Sequence, residues 1–281
     1  MKKRIFSGLL LGFISIAAMA QVSNTLAPYS QFGLGVLSEQ SQGFNNGMSG
    51  LAIGMRNGKI VNVQNPASYS AVDSLTMIFD VALSGQVTNF KEDKKSINAN
   101  NANFEYAVGL FRLTKNVGMS FGVLPFTNVG YSYTASSYLD ATNGTITKSY
   151  AGEGGLHHAF IGAGVKVLPE LSVGINVGYL WGDIKRTVSS SSTTYINSLY
   201  KIYSASVGSY TAEAGLQYTY RLNKADELTV GATASLGHKL NTDMECSIIN
   251  ASVSGGRDTT TMVAANALEL PMTYGLGVAW R

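Results

Sequence analysis

Two consecutive segments of this sequence place an apolar side chain at every second position and a small or polar residue between. The apolar residues of the first segment are Leu171, Val173, Ile175, Val177, Tyr179 and Trp181. The second segment, residues 210–222, repeats the alternation. Because successive side chains of a strand point to opposite faces, each segment has one apolar face and one small or polar face. This pattern is typical of transmembrane β-barrel strands, which turn the apolar face to lipid and the other face to a polar lumen.

The first 20 residues predict that the chain is exported. Lys2, Lys3 and Arg4 precede an apolar run over residues 9–17, and a small-residue cleavage site follows at residues 18–20. This arrangement is typical of a secretory signal peptide. No later apolar run reaches the ~18 residues that a membrane helix requires. Since a bilayer admits only helices and closed barrels, the sequence predicts a barrel in the bacterial outer membrane.

The charge balance excludes an electrostatic interface for nucleic acid. Three of the 20 basic residues lie in the predicted signal peptide, which leaves 17 basic residues beside 17 acidic ones. Charged residues make up 13% of the chain, about half of the ~25% in soluble proteins. The 31 Gly, 15 Tyr and 11 Phe suit barrel strands with a small-residue lumen and aromatic belts. The single Cys246 cannot form an internal disulfide, and the sequence indicates no metal or cofactor.

The alternation predicts eight strands of an antiparallel transmembrane β-barrel. They cover residues 75–90, 102–113, 117–126, 157–168, 171–187, 209–222, 227–238 and 272–281. The longer connections are rich in Ser, Thr, Asn and Gly, and comprise residues 91–101, 127–156, 188–208 and 239–271. Outer-membrane barrels have short periplasmic turns and long external loops, so we expect these four segments to be external loops. The predicted organisation is a signal peptide (1–20), a leader (21–74) and a barrel (75–281).

The last predicted strand, residues 272–281, leaves two alternatives for closing the barrel. It pairs with the first strand, or the sequence is an N-terminal fragment of a larger barrel. Eight strands enclose a lumen that side chains fill, which leaves no space for a plug. We favour the fragment, because residues 21–74 are Gly- and Asn-rich, lack sustained alternation and suit a plug in a wider barrel.

A short motif, Asn65-Pro66-Ala67, lies near the end of this leader and shortly before the first predicted strand. A Gly-rich leader with this tripeptide resembles the FadL-like outer-membrane transporters of long-chain fatty acids and other hydrophobic compounds. The resemblance implies a leader folded as a hatch inside a fourteen-stranded barrel, and passive transport of a fatty acid or another hydrophobic small molecule. The last six strands of that family are absent from this sequence. The alternative is a simple turn, because Pro66 fixes φ and Asn65 can bond its own backbone.

A second, partial match to the same family lies at residues 122–126. FadL-like proteins commonly have Pro-Phe-Gly near a kinked third strand that opens sideways to the bilayer, whereas Thr127 follows Pro125 and Phe126 here. The resemblance implies a lateral opening that involves Gly122, Pro125 and Phe126. Because Pro cannot donate a ladder hydrogen bond, the strand either ends at Pro125 or continues with broken pairing. The sequence leaves both alternatives open.

Two cations, Lys166 and Arg221, fall on the lumen-facing positions of their predicted strands. They are candidates for binding the carboxylate of a fatty acid. The alternative is structural pairing with an inward-facing acid such as Glu213 or Asp80. Arg112 falls on a lipid-facing position near the periplasmic end, where its side chain would extend to the membrane interface.

Catalysis is not expected from the histidines. His157 and His158 are adjacent in a predicted strand and therefore face opposite sides, so they cannot share a metal or a nucleophile. The sequence thus predicts a monomeric barrel in outer-membrane lipid that binds and transports a hydrophobic small molecule. The leading alternative is a docking or shuttle barrel for exported proteins, with the long loops as its surface. A third alternative is a small structural barrel.

Overall fold

The computed structural model describes residues 28–92, 95–139, 144–192, 197–223, 226–252 and 254–281. The predicted signal peptide lies outside these residues. The leader, from residue 28 to residue 74, contains four short elements: a 3-10 helix Pro28–Gln31, strand β1 Val36–Leu37, helix α1 Gly43–Gly47 and a second 3-10 helix Pro66–Ala71. No helix among the described residues is long and apolar enough to span a membrane.

Eight main strands belong to the larger sheet, which has eleven strands among the described residues. They are β2 Met77–Glu92, β3 Lys95–Thr114, β4 Val117–Leu139, β5 Gly144–Lys166, β6 Leu171–Ser192, β7 Ser198–Arg221, β8 Glu227–Ser235 and β13 Thr273–Trp280. Between β8 and β13 lie β9 His238–Lys239, β10 Met244–Ala251, β11 Arg257–Ala264 and β12 Glu269–Leu270. The eight predicted strands correspond to the eight main strands, so the prediction of an antiparallel all-β fold is confirmed.

The sheet has a branched order along β7. Each main strand pairs antiparallel with the next from β2 to β8, and β13 pairs with β8. The first half of β7 pairs instead with β10, which pairs with β11. Strands β9 and β12 form a separate two-stranded sheet. Within the described residues β2 and β13 do not pair with each other, so the sheet is not a closed barrel there.

The four segments that we predicted to be loops consist largely of strands, so that prediction is wrong. Residues 91–101, 127–156 and 188–208 consist largely of the far ends of the hairpins β2–β3, β4–β5 and β6–β7, and the fourth segment contains the β10–β11 hairpin. β4 and β5 each have 23 residues. Thr and Tyr favour strands, and the ladders of β2–β3, β4–β5 and β6–β7 continue through Ser-rich sequence whose composition indicates loops, with one register shift each in β2–β3 and β4–β5.

The strands bend at one level of the sheet. In β4 the ladder with β5 shifts between Pro125 and Thr127, which leaves Phe126 as a bulged residue. At the same level Gly155 and Gly182 have φ values of +147° and +150°, a region that side chains rarely adopt. Below this bend, the outer face of β6 is the predicted apolar row that ends at Trp181. Bulges and glycine kinks increase twist and curvature, so we expect the strands to bend at this level. We call the part of the sheet between this level and the short β3–β4, β5–β6 and β7–β8 turns the lower sheet, and the part on the other side the upper sheet.

The inner face of the lower sheet, which the leader covers, carries a row of paired glycines. Gly118 pairs with Gly164, Gly164 with Gly174, and Gly174 with Gly215 across the four strands from β4 to β7. A Cβ atom on any of the four would overlap with an atom of Asn65, Pro66 or Tyr69. The row therefore lets the second 3-10 helix lie with its main chain directly against the sheet.

Two apolar clusters complete the inner face. The lower one joins the leader to β3, β4 and β5 through Val61, Val63, Tyr69, Val72, Tyr106, Val108, Leu110, Leu124 and Phe160. The upper one joins β4 to β7 with the segments around β9 and β12 through Val129, Tyr131, Leu156, Leu180, Ile184, Ala205, Val207, Leu240, Leu268 and Leu270. Leu34 of the leader packs against the upper cluster. The leader thus contacts both levels of the sheet.

We expect Gly174→Ala to displace the leader, because the new methyl group would overlap with the main chain of Pro66. Overpacking of this kind costs about 1–3 kcal/mol. The matched control is Gly85→Ala in β2, where a Cβ atom meets nothing within 4 Å. Limited proteolysis in detergent should cleave the leader faster in Gly174→Ala than in Gly85→Ala. Equal cleavage rates would show that the glycine row does not hold the leader.

Candidate functional site

One part of the leader, which we call the anchored part, is centred on Asn65, Pro66 and Ala67. All three residues are buried. Pro66 occupies the first position of the 3-10 helix, where its fixed φ fits and its missing N–H is not needed. The Asn65 Oδ1 accepts from the Ala67 N–H at 3.1 Å, which caps the helix. The Asn65 Nδ2 donates to the carbonyls of Ile53 at 2.8 Å and Leu216 at 3.2 Å. The motif is therefore both a turn and the joint between leader and β7.

A second joint is made by Arg56 and Gln217. The Arg56 guanidinium donates to the Ala67 carbonyl and the Gln217 Oε1, each at 3.2 Å, and to the Ser70 Oγ at 3.0 Å. Gln217 in turn donates to the carbonyls of Ile53 and Met55. Burial lowers the pKa of Arg56, and the charge of Glu227 acts in the opposite direction. The bonds of Arg56 to Ala67 and Ser70 lie within the leader, whereas the bonds of Gln217 join the leader to β7.

Tyr69 forms the third joint. Its side chain is fully buried, and its hydroxyl donates to the Asn176 Oδ1 of β6 at 3.0 Å. The Asn176 Nδ2 donates to the Val63 carbonyl and to the Glu213 Oε2, each at 3.2 Å. Burial raises the pKa of Tyr69 above its ordinary value. A neutral hydroxyl therefore persists here and links the leader to β6, and Asn176 extends the network to Glu213 of β7.

The first part of the leader, residues 28–40, runs along the edge of β4, and we call it the strap. β3 pairs with β4 only as far as Val123, and beyond that point β4 pairs on this side, within the described residues, with β1. The Ser38 N–H donates to the Phe126 carbonyl and the Gln40 Nε2 to the Pro125 carbonyl, each at 3.0 Å. The Gly130 N–H donates to the Ser30 Oγ at 3.2 Å. The strap thus fills the place that β3 leaves.

The residues predicted to form a lateral opening lie at the start of this place. Gly122 pairs on both sides, with Val108 and Phe160, and β4 continues past Pro125 to Leu139. The alternative in which the strand ends at Pro125 is therefore wrong. Pro125 and Phe126 stand at the bulge, and their carbonyls accept hydrogen bonds from the strap.

The predicted lumen cations do not come together. Arg221 lies at an exposed strand end, where its Nε is 3.7 Å from the Glu227 Oε2, so its partner is neither Glu213 nor Asp80. Lys166 is the last residue of β5, and it forms no ion pair with any of the described residues. Arg112 is not lipid-facing as predicted: its guanidinium donates to the Ser74 Oγ at 2.8 Å and so holds the end of the leader.

The polar groups with catalytic potential are separated or enclosed. His157 stacks on Trp181, whereas His158 bonds the Thr211 Oγ1 at 2.7 Å, so the two face opposite sides as predicted. Ser120 has glycines two positions before and after it, yet it is buried inside β4 and donates to the Gly109 carbonyl at 2.8 Å. Within the part of the chain that the structure describes, no group of His, Cys, Asp and Glu could hold a metal ion.

Sequence analysis did not identify the glycine row, Gln217 or the strap as parts of this site. A usable signal existed for the glycines, since Gly164, Gly174 and Gly215 all occupy the inward-facing positions of neighbouring predicted strands. The strap has no such signal. Its place on β4 depends on how far β3 and β4 stay paired, which the alternation does not encode.

Comparison with known proteins identifies a different family from the one that the sequence motifs suggested. A family model matches residues 1–281, and it is the model of BamG. Neither a curated protein nor a solved structure matches the chain. The resemblance to FadL-like transporters is therefore wrong, and with it the prediction of fatty-acid or lipid transport. The tripeptide Asn65-Pro66-Ala67 was a poor indicator of family, because any chain that starts a helix at this point can use these residues as its cap.

We expect Asn65→Ala to lower the free energy of unfolding by about 1–3 kcal/mol, because it removes the helix cap and leaves buried carbonyls unpaired. Asn65→Asp keeps the cap acceptor but places a carboxylate oxygen against the carbonyls of Ile53 and Leu216, so it should destabilise at least as much as Asn65→Ala. Asn57→Ala is the control, because the Asn57 Oδ1 also accepts from the N–H two residues ahead, but at an exposed site. Denaturant unfolding in detergent measures all three variants. An Asn65→Ala protein as stable as Asn57→Ala would contradict this role.

Proposed function

We propose, because the chain belongs to the BamG family, that it works in outer-membrane protein assembly as a docking platform for exported proteins. This is the alternative that the sequence pattern left open. Family membership over residues 1–281 carries the proposal. The platform performs no catalytic step, and its partners are the assembly machinery and exported proteins rather than hydrophobic small molecules.

An outer-membrane location is supported by the outer face of the lower sheet. Ile175, Val177 and Tyr179 of β6 are each about half exposed, at 51%, 49% and 56%. The row from Leu171 to Trp181 spans ten residue steps, or about 25 Å at the usual tilt of barrel strands, which is the height of a barrel's apolar band. Among the described residues no strand pairs with the outer edge of β2 or of β13, and a bilayer cannot satisfy such edges. We propose that further strands cover both edges in the membrane.

A docking role is supported by the surfaces outside this band. The upper sheet contains the continuations of strands β4 to β7 together with β10 and β11. All eight residues of β11 are exposed. On the inner side, next to the place where Gly54 of the leader lies against β13, a groove of about 570 Å³ is lined by leader residues and by residues 276–281. Phe44 and Leu51 of the leader border this groove and are 58% and 70% exposed. Exposed apolar surface of this kind marks protein interaction sites.

Depletion of the protein in its own bacterium should lower the amounts of folded outer-membrane barrels, because their assembly loses its platform. Quantitative proteomics of the outer-membrane fraction, combined with heat-modifiability of individual barrels on gels, measures this effect. Growth on long-chain fatty acids serves as the control and should not change before barrel levels fall. Unchanged barrel levels after complete depletion would exclude the assembly role.

The membrane position is tested by the two tryptophans of the chain. Trp181 and Trp280 stand at opposite ends of the proposed apolar band, so lipids brominated near the headgroup should quench both more strongly than lipids brominated at the chain end. Trp181→Phe and Trp280→Phe proteins isolate each signal. Quenching of neither residue in proteoliposomes would place the sheet outside the bilayer.

A further inference from the structure

The two parts of the leader are held to very different degrees. In the anchored part, Ala67 and Tyr69 are fully buried against the glycine row. In the strap, Tyr29, Phe32 and Leu37 are 79%, 65% and 62% exposed. The strap's strand, β1, pairs with β4 through two residues only. Further hydrogen bonds reach the strap from Asn128, Gly130 and Tyr133 of β4 and from Arg186 of β6, and Ser30 is buried. Most contacts of the strap therefore lie along one strand, β4, whereas the second 3-10 helix contacts the four strands from β4 to β7.

The bonds between the strap and β4 are those of an added strand. Val36 and Leu37 pair antiparallel with Asn128 and Thr127. The Ser38 N–H donates to the Phe126 carbonyl, so the pairing extends to the bulge. Most of these bonds use main-chain groups of β4, which any extended peptide can satisfy.

The strap comes unusually close to β4 at Gly35. Its φ is +102°, and a Cβ atom there would lie 2.7 Å from both the Asn128 carbonyl oxygen and the Val129 Cγ2. The neighbouring Leu34 packs on the upper apolar cluster. The β4 edge thus selects a small residue at one position and an apolar side chain beside it. This gives the edge a sequence preference beyond backbone pairing.

We propose that the edge of β4 from Pro125 to Tyr133 is a strand-docking site, and that an extended segment of an exported protein binds there antiparallel to β4 in place of the strap. The inference rests on the proposed docking function and names its partner chemistry. In the structure the strap occupies this site, and it covers an edge that could otherwise pair with strands of other chains. Exchange of one strand for another leaves the rest of the sheet unchanged.

The test uses a fluorescent synthetic peptide of residues 28–40 and the full chain carrying Leu37→Cys and Thr127→Cys, with Cys246→Ser to remove the native thiol. Leu37 and Thr127 are cross-strand partners, at a separation that a disulfide can bridge. In the reduced protein the peptide should replace the strap and bind. In the oxidised protein the strap is locked, and binding should weaken by about tenfold or more. Fluorescence anisotropy measures both states.

Two controls separate strand exchange from loose adsorption. A peptide with Ser38→Pro lacks the N–H that donates to Phe126 and should bind at least several-fold more weakly. A chain with Gly35→Val should bind the native peptide more tightly, because its own strap no longer fits. Heat-modifiability on gels checks that each variant is folded. Equal binding by oxidised and reduced protein, equal binding of the proline peptide, or no binding at all would each overturn the docking site.

The outcome is independent of the assembly role. Peptide exchange is measured on purified protein, whereas the assembly role is measured by barrel levels in depleted cells. Strand exchange with unchanged barrel levels would support the site and exclude the cellular function. Reduced barrel levels without strand exchange would do the reverse.

Discussion

The close approach of the leader to the glycine row is the contact on which the rest of the structure depends. Gly118, Gly164, Gly174 and Gly215 have no side chain between the sheet and the second 3-10 helix. Without that approach, Asn65 could not reach the Leu216 carbonyl, and Gln217 could not reach the leader backbone. The hydrogen bonds that Asn65 and Gln217 make between leader and β7 thus depend on inner-face residues that have no Cβ. The same contact covers the inner face of the lower sheet.

The bend of the sheet divides the molecule into two levels with different tasks. Below the bulge at Phe126, the outer face is apolar and the inner face binds the anchored part of the leader. Above it, the strands continue as an upper sheet, and β4 exchanges β3 for the strap as its neighbour. The change of neighbour lies between two irregularities, the register shift of β2–β3 beside Tyr106 and the bulge of β4 at Phe126. Bulges bend a strand locally, so the proposed docking site lies at an irregular part of the sheet.

Sequence alternation predicted the eight main strands and their antiparallel order, because period two is dictated by strand geometry and one apolar face. It failed at the long hairpins, since residues such as Ser190 and Thr147 read as loop by composition but are paired in register with their neighbours. The site residues were predicted unevenly. Asn65 was identified by a motif whose turn chemistry is real and whose family meaning was wrong. Arg221 and Glu227 form a contact across a short turn, which strand parity alone does not reveal.

Hydrogen–deuterium exchange of the leader in the detergent-solubilised protein tests the division between anchored part and strap most directly. We expect strong protection of the Ala67 and Val72 amides, which donate to the Asn65 Oδ1 and the Tyr69 carbonyl under the glycine row. The Ser38 amide donates to the Phe126 carbonyl at the β4 edge and should exchange about a hundredfold faster, because the strap opens locally more easily than the part that is buried against four strands. Equal protection of the two parts, or a more protected strap, would show that the leader is held as one unit.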